Sequence, residues 1–225
     1  MRKSGRIKCG LPPLSRMERI PAAAPERLVF LPGASGNTRF WLPVAERLSA
    51  GLPHRHLGWP GFGGTPRDPA IKGWSDLLQR VLAQLDGPCA LIAQSMGGVL
   101  AVQAALQRPH QVTHLVLAAT SGGLPMARHG ALDWRPGFRA SHPDLPAWFS
   151  EAAIDLSAQL PQLRLPVLLL WGDADPISPV GVGEALAQAI PRSRLHVIPG
   201  GDHDLAMTHA AVVAPLIAAH LQPLP

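Results

Sequence analysis

Cys89-Ala90-Leu91-Ile92-Ala93-Gln94-Ser95-Met96-Gly97-Gly98-Val99-Leu100-Ala101-Val102 holds two apolar runs separated by one polar step. Cys89 to Ala93 has the length and composition of a buried strand, and Met96 to Gln107 continues at helical spacing. The stretch therefore predicts a strand that turns at once into a helix. Small residues at Ala93 and Gly97 permit so sharp a turn. The turn holds Ser95 at its apex, in a strained backbone with its hydroxyl exposed.

Working outward, strand-length runs, most of them apolar, recur at Leu28–Leu31, His54–Leu57, Thr113–Ala118, Val167–Trp171 and Leu195–Ile198. Between them Trp41–Ser49, Trp74–Leu85, Val180–Ala189 and Leu205–Leu221 read as helices. Alternating strands and helices imply a parallel sheet covered on both faces, and a run such as Val167-Leu168-Leu169-Leu170-Trp171 fits burial on both sides. The fold class is α/β, with a mostly parallel sheet of about six strands. Residues 122–163 break the rhythm with Pro125, Pro136, Pro143, Pro146 and Pro161 set among Trp134, Phe138, Trp148 and Phe149. They read as a short lid. The few residues between Met17 and Leu28 leave no room for a leading antiparallel hairpin.

The chain of 225 residues is 47% hydrophobic and 16% charged, too apolar for disorder and too often interrupted for a membrane span. Its formal charge of +5 is concentrated in Arg2, Lys3, Arg6, Lys8 and Arg16, which leaves the remainder neutral. A basic tail over residues 1–16, disordered or extraneous, and a single domain over residues 17–225 are expected. A neutral body argues against nucleic-acid binding. No apolar stretch in the tail resembles a secretory signal. Cys9 and Cys89 make neither a disulfide framework nor a metal-ligand spacing, so a reducing compartment, the cytoplasm, is expected. Neither a membrane partner nor a metal is implied.

In open α/β sheets ligands sit at the carboxyl ends of the strands. There the segment around Ser95 resembles the nucleophile elbow of the α/β-hydrolase family, with Ala93 in place of the first glycine. A serine hydroxyl needs a base to take its proton and a carboxylate to orient that base. Gly172-Asp173-Ala174-Asp175-Pro176 looks like the family's acid loop and Pro199-Gly200-Gly201-Asp202-His203-Asp204 like its histidine loop. The resemblance implies Ser95 as nucleophile, Asp175 as the acid, 80 residues on, and His203 as the base, 28 further. Leu31-Pro32-Gly33-Ala34-Ser35-Gly36 is similar to the oxyanion loop, with Pro32 where the family has histidine. By carry-over, the backbone N–H groups of Ala34 and Met96 hold the oxyanion. Trp59-Pro60-Gly61-Phe62-Gly63 matches a further family turn, and the resemblance spans residues 27–221.

It implies a serine hydrolase acting on a small ester, without a cofactor, with Trp134, Trp148 and Phe149 of the lid as substrate-binding candidates. Trp148 or Phe149, rather than any arginine, is expected to touch the acyl group, in a shallow pocket, while Arg128, Arg135 and Arg139 read as solvated. An esterase similar to the pimeloyl carrier-protein methyl ester esterases and a carbon–carbon bond hydrolase or lyase with the same triad both remain open. A non-catalytic binding module on the same fold is the alternative of another class. Asp173 and Asp175 lack the further acidic cluster of a metal site, and Gly33 to Thr38 lacks the lysine of a phosphate loop. Cys89, Trp41, Trp74 and Trp171 read as core, and His110 and His114 as surface and strand-edge residues.

Overall fold

The computed structural model describes residues 23–48 and 51–222. Six strands, β1 (Arg27–Leu31), β2 (His54–His56), β3 (Cys89–Gln94), β4 (Val112–Ala118), β5 (Val167–Gly172) and β6 (Ser193–Ile198), form one sheet in the order β2-β1-β3-β4-β5-β6. Every neighbouring pair is parallel. Among the described residues no strand precedes Arg27, while the basic tail over residues 1–16 lies outside them.

Successive strand side chains point to opposite faces, so each strand divides its apolar residues between two cores. Val29, Leu31, Leu91, Leu115, Leu117, Leu169 and Trp171 face helices α2 (Trp74–Leu82), α3 (Met96–Gln107) and α6 (Val180–Ala189). Leu28, Phe30, Ile92, Val116, Leu168 and Leu170 face α1 (Leu42–Ala45), α7 (Leu205–Thr208) and α8 (Ala210–His220). At roughly 1.5–3 kcal/mol per fully buried Val, Leu or Phe, this double burial is the main favourable contribution to folding.

Three helices differ from the sequence expectation. The helix expected over Trp41–Ser49 is the single turn Leu42–Ala45, opened by Pro43, and α2 stops at Leu82. The segment Leu205–Leu221 is two helices. His209 takes φ −117° and ψ 29°, outside the helical basin, so α7 ends and α8 starts afresh from the His209 carbonyl. His114 is not a strand-edge residue at the surface: it is 3% exposed, inside β4.

The lid interval contains α4 (Arg135–Ser141) and α5 (Ala147–Glu151) between short 3-10 turns at Met126–His129 and Leu160–Gln162. Arg135 and Arg139 are not simply solvated. The Arg135 Nε–H donates to the Ser150 carbonyl at 3.0 Å and the Arg139 Nε–H to Ser150 Oγ at 2.7 Å, fastening α4 to α5. No helix among the described residues is long and apolar enough to cross a membrane.

Candidate active site

Chain order reverses direction across the sheet between β1 and β3, since β2 lies beyond one and β4 beyond the other. Such a switch point opens a crevice at the strand ends. The loop after β1 carries Gly33 and Ala34, and the turn after β3 carries Ser95.

Ser95 adopts φ 51° and ψ −121°, a conformation that costs an L-residue about 1–3 kcal/mol. The turn persists because its surroundings leave no alternative. A Cβ on Gly97 would sit 2.4 Å from the Pro32 carbonyl oxygen, and one on Gly98 2.4 Å from Thr120 Oγ1. The two glycines thus let the oxyanion-like loop and the loop after β4 close on the first turn of α3. Ser95 N–H donates to the Ala118 carbonyl at 3.0 Å, which ties the turn to β4.

The structure brings Ser95, His203 and Asp175 together. His203 Nδ1 lies 2.8 Å from Asp175 Oδ2 and Nε2 lies 3.0 Å from Ser95 Oγ. An ionised carboxylate only accepts, so Nδ1 carries the hydrogen and Nε2 of the neutral ring is left to accept from the serine hydroxyl. Asp175 is itself held: Oδ1 accepts the N–H groups of Ile177 at 2.8 Å and Ser178 at 3.1 Å, and the residue is 4% exposed. Its two neighbours are occupied elsewhere. Asp173 Oδ1 accepts from Gly200 N–H at 2.7 Å, bracing the histidine loop, and Asp202 Oδ1 accepts from Asp204 N–H at 2.9 Å.

Met96 follows the serine directly, and Ala34 follows Gly33, which packs closely against Ser95. Neither N–H is engaged by another acceptor among the described residues, and Met96 opens α3, where the N–H groups are unpaired and the helix dipole is positive. A negatively charged oxygen at the start of α3 would meet the Met96 N–H and that dipole.

A cavity of about 430 Å³ adjoins Ser95 and His203, walled by Trp74, Val99, Leu124, Trp134 and Phe149. Trp74, expected in the core, is half-buried there with its indole N–H on Gln103 Oε1 at 2.7 Å. Its position at the first residue of a helix following Gly73 was the available sign. Trp134 and Phe149 reach this cavity, whereas Trp148 does not: it lines a second cavity of about 600 Å³ with Ser35, Phe62 and Leu145. Adjacent helical residues point about 100° apart, and here the two side chains fall in different cavities. Phe149 stacks on Phe62, ring centroids 4.3 Å apart, between the two spaces.

Residues 28–162 match the family described as "Alpha/beta hydrolase family", and residues 144–210 one described as "alpha/beta hydrolase fold". The chain is 30% identical to a poly(3-hydroxyalkanoate) depolymerase of Ectopseudomonas oleovorans, over 87% of this chain and 84% of that one. It is 34% identical to a pimeloyl-[acyl-carrier protein] methyl ester esterase of Aromatoleum aromaticum, over 65% of this chain and 57% of that one. Among solved structures, a thermophilic esterase from Thermogutta terrifontis superposes with a TM-score of 0.71 at 25% identity, covering 89% of this chain and 91% of that one. A meta-cleavage product hydrolase from Pseudomonas fluorescens shares the fold at a TM-score of 0.67 and 19% identity, over 88% and 91% of the two chains. The chain belongs to the α/β-hydrolase family and is a hydrolase of esterase type.

Proposed function

We propose that the protein hydrolyses small carboxylic esters through a Ser95–His203–Asp175 triad and an acyl-enzyme. The observation that carries this reading is the unbroken chain of contacts, Ser95 Oγ to His203 Nε2 at 3.0 Å and His203 Nδ1 to Asp175 Oδ2 at 2.8 Å. Ser95 Oγ attacks the ester carbonyl carbon as Nε2 takes its proton. The carbonyl oxygen becomes an oxyanion between the N–H groups of Ala34 and Met96, each worth about 2.7–4 kcal/mol in the transition state. Collapse expels the alcohol, which takes the proton back from Nε2, and water then releases the acid by the same steps in reverse order. Asp175 keeps the imidazole in the required tautomer throughout.

An ester is favoured over a carbon–carbon bond because a sequence relative is named a methyl ester esterase, and the meta-cleavage product hydrolase shares only the fold. The apolar walls of the 430 Å³ cavity suit an acyl chain. The described part of residues 17–225 forms one domain on this reading. The scarcity of cysteine and the burial of Cys89 support a cytoplasmic enzyme. A panel of p-nitrophenyl esters of rising chain length, run beside a meta-cleavage product, tests the substrate class. Turnover of the esters that vanishes in Ser95→Ala is expected, and turnover of the meta-cleavage product alone would overturn it.

A further inference from the structure

Resting on that reading, we infer that Trp59 and Thr120 are positioning residues that aim the two oxyanion donors from behind. A trans peptide places its C=O and its N–H on opposite sides of one rigid plane, so whatever fixes the carbonyl also fixes the direction of the N–H. The described residues contain no cis peptide. The Ala34 N–H belongs to the peptide whose carbonyl is that of Gly33, and the Met96 N–H to the peptide whose carbonyl is that of Ser95.

Both carbonyls are held alike. Gly33 O accepts the indole N–H of Trp59 at 2.7 Å and the backbone N–H of Gly36 at 3.1 Å. Ser95 O accepts the hydroxyl of Thr120 at 2.6 Å and the backbone N–H of Gly98 at 3.0 Å. A carbonyl oxygen has two lone pairs, and here each pair is used, one by the local turn and one by a side chain from a distant loop. Trp59 is 0% exposed and Thr120 1% exposed, so water does not compete for either bond. Thr120 is in turn fixed by the Gly122 N–H, which donates to its Oγ1 at 3.0 Å.

Buried donors usually find some partner, and one such bond alone would be ordinary satisfaction of a polar group. Here the two side chains come from different loops and end on the two peptides that carry the oxyanion donors. A hydrogen bond at the carbonyl also polarises the peptide, which strengthens its N–H as a donor. The two bonds therefore pre-orient the hole and sharpen it, and their effect is felt when charge develops on the substrate oxygen.

The test uses Trp59→Phe, Thr120→Val and Thr120→Ser in the full chain, with p-nitrophenyl butyrate as substrate and a butyl boronic acid as a probe that adds to Ser95 as a tetrahedral anion. Trp59→Phe and Thr120→Val should lower kcat about 10- to 100-fold with KM little changed, as is typical of groups that orient a reacting group from behind. Boronate affinity should fall by the same factor as kcat/KM, and Thr120→Ser, which keeps the hydroxyl, should recover most of both. Thr120→Val is nearly isosteric, so it serves if Trp59→Phe does not fold. Losses of melting temperature with kcat and boronate affinity unchanged would reduce both residues to packing and overturn the inference. A wild type that neither hydrolyses the ester nor binds the boronate would instead overturn the hydrolase reading, and this inference with it.

Discussion

His203 and the pair His114–His220 lie at opposite edges of the same sheet, and their surroundings differ in kind. At the carboxyl edge, His203 has a carboxylate on one nitrogen and a hydroxyl on the other. Towards the amino edge, the rings of His114 and His220 meet edge to face, 5.3 Å apart at 89°, and no carboxylate bonds to either among the described residues. Burial, with Arg192 nearby, lowers His114 from its ordinary value. Burial first, then His114 and Arg194, lowers His220 to about 4. Cys89, at the start of β3, has its thiol pushed up to about 11 by burial, so it stays protonated at neutral pH and is a poor nucleophile. His203 stands between a carboxylate and a hydroxyl, the arrangement that proton transfer needs, whereas burial without a carboxylate favours the neutral forms of His114 and His220.

The largest expected effect tests the partners at the carboxyl edge. Asp175→Asn should lower kcat by about 10⁴, because the amide leaves the imidazole in the wrong tautomer. Asp173→Asn, which loosens only the bond to Gly200 N–H, should fall far short of that. Steady-state kinetics of the two variants decide between them, and equal losses would erase the distinction drawn between the two aspartates.

At the amino edge the prediction concerns stability. An unfolded histidine titrates near ~6.5, so with His220 lowered to about 4 the unfolded chain binds more protons between those values. Stability is then fully present above about pH 6.5, declines as pH falls towards 4, and has no further loss from this residue below that. The difference amounts to roughly 3 kcal/mol at most. Urea midpoints between pH 4 and 7 should show this decline in wild type and a shallower one in His220→Leu. Equal slopes would mean that the pair does not govern acid stability.

A smaller effect sharpens the picture within the carboxyl edge. Phe149→Ala enlarges the cavity beside Ser95 and should shift the preferred acyl length, by about tenfold in kcat/KM between short and medium esters. Trp148→Ala opens the other cavity and should shift it much less. The reverse ranking would place the acyl chain in the second space.

Much of this was legible in the sequence because the inner strands β1, β3, β4 and β5, buried on both faces, read as largely apolar runs. β1, β3, β4, β5 and β6 begin or end within two residues of their expected bounds. The side chains of the site were legible because each stands at a strand end beside a turn signal. Where the reading was wrong, the deciding contact is remote in sequence or depends on rotation about a helix. The break at His209 is marked only by the polar pair Thr208-His209 in a mostly apolar segment, with no glycine or proline at the break itself. His114 looked like a surface residue because the helix that covers it begins almost a hundred positions later. Trp148 and Phe149 are neighbours in sequence with opposite destinations, and Ser150, which gathers Arg135 and Arg139, has no distinguishing mark of its own. The bonds of Trp59 and Thr120 to the carbonyls of Gly33 and Ser95 span 26 and 25 residues, beyond any local pattern.

The central claim is that Ser95 is an activated nucleophile, and a fluorophosphonate reports on that state most directly. The account predicts stoichiometric phosphonylation of the wild-type protein, mapped by peptide mass to Ser95, absent in Ser95→Ala and slowed by orders of magnitude in His203→Ala. Labelling that survives in Ser95→Ala, or an unlabelled wild type that still hydrolyses esters, would contradict it.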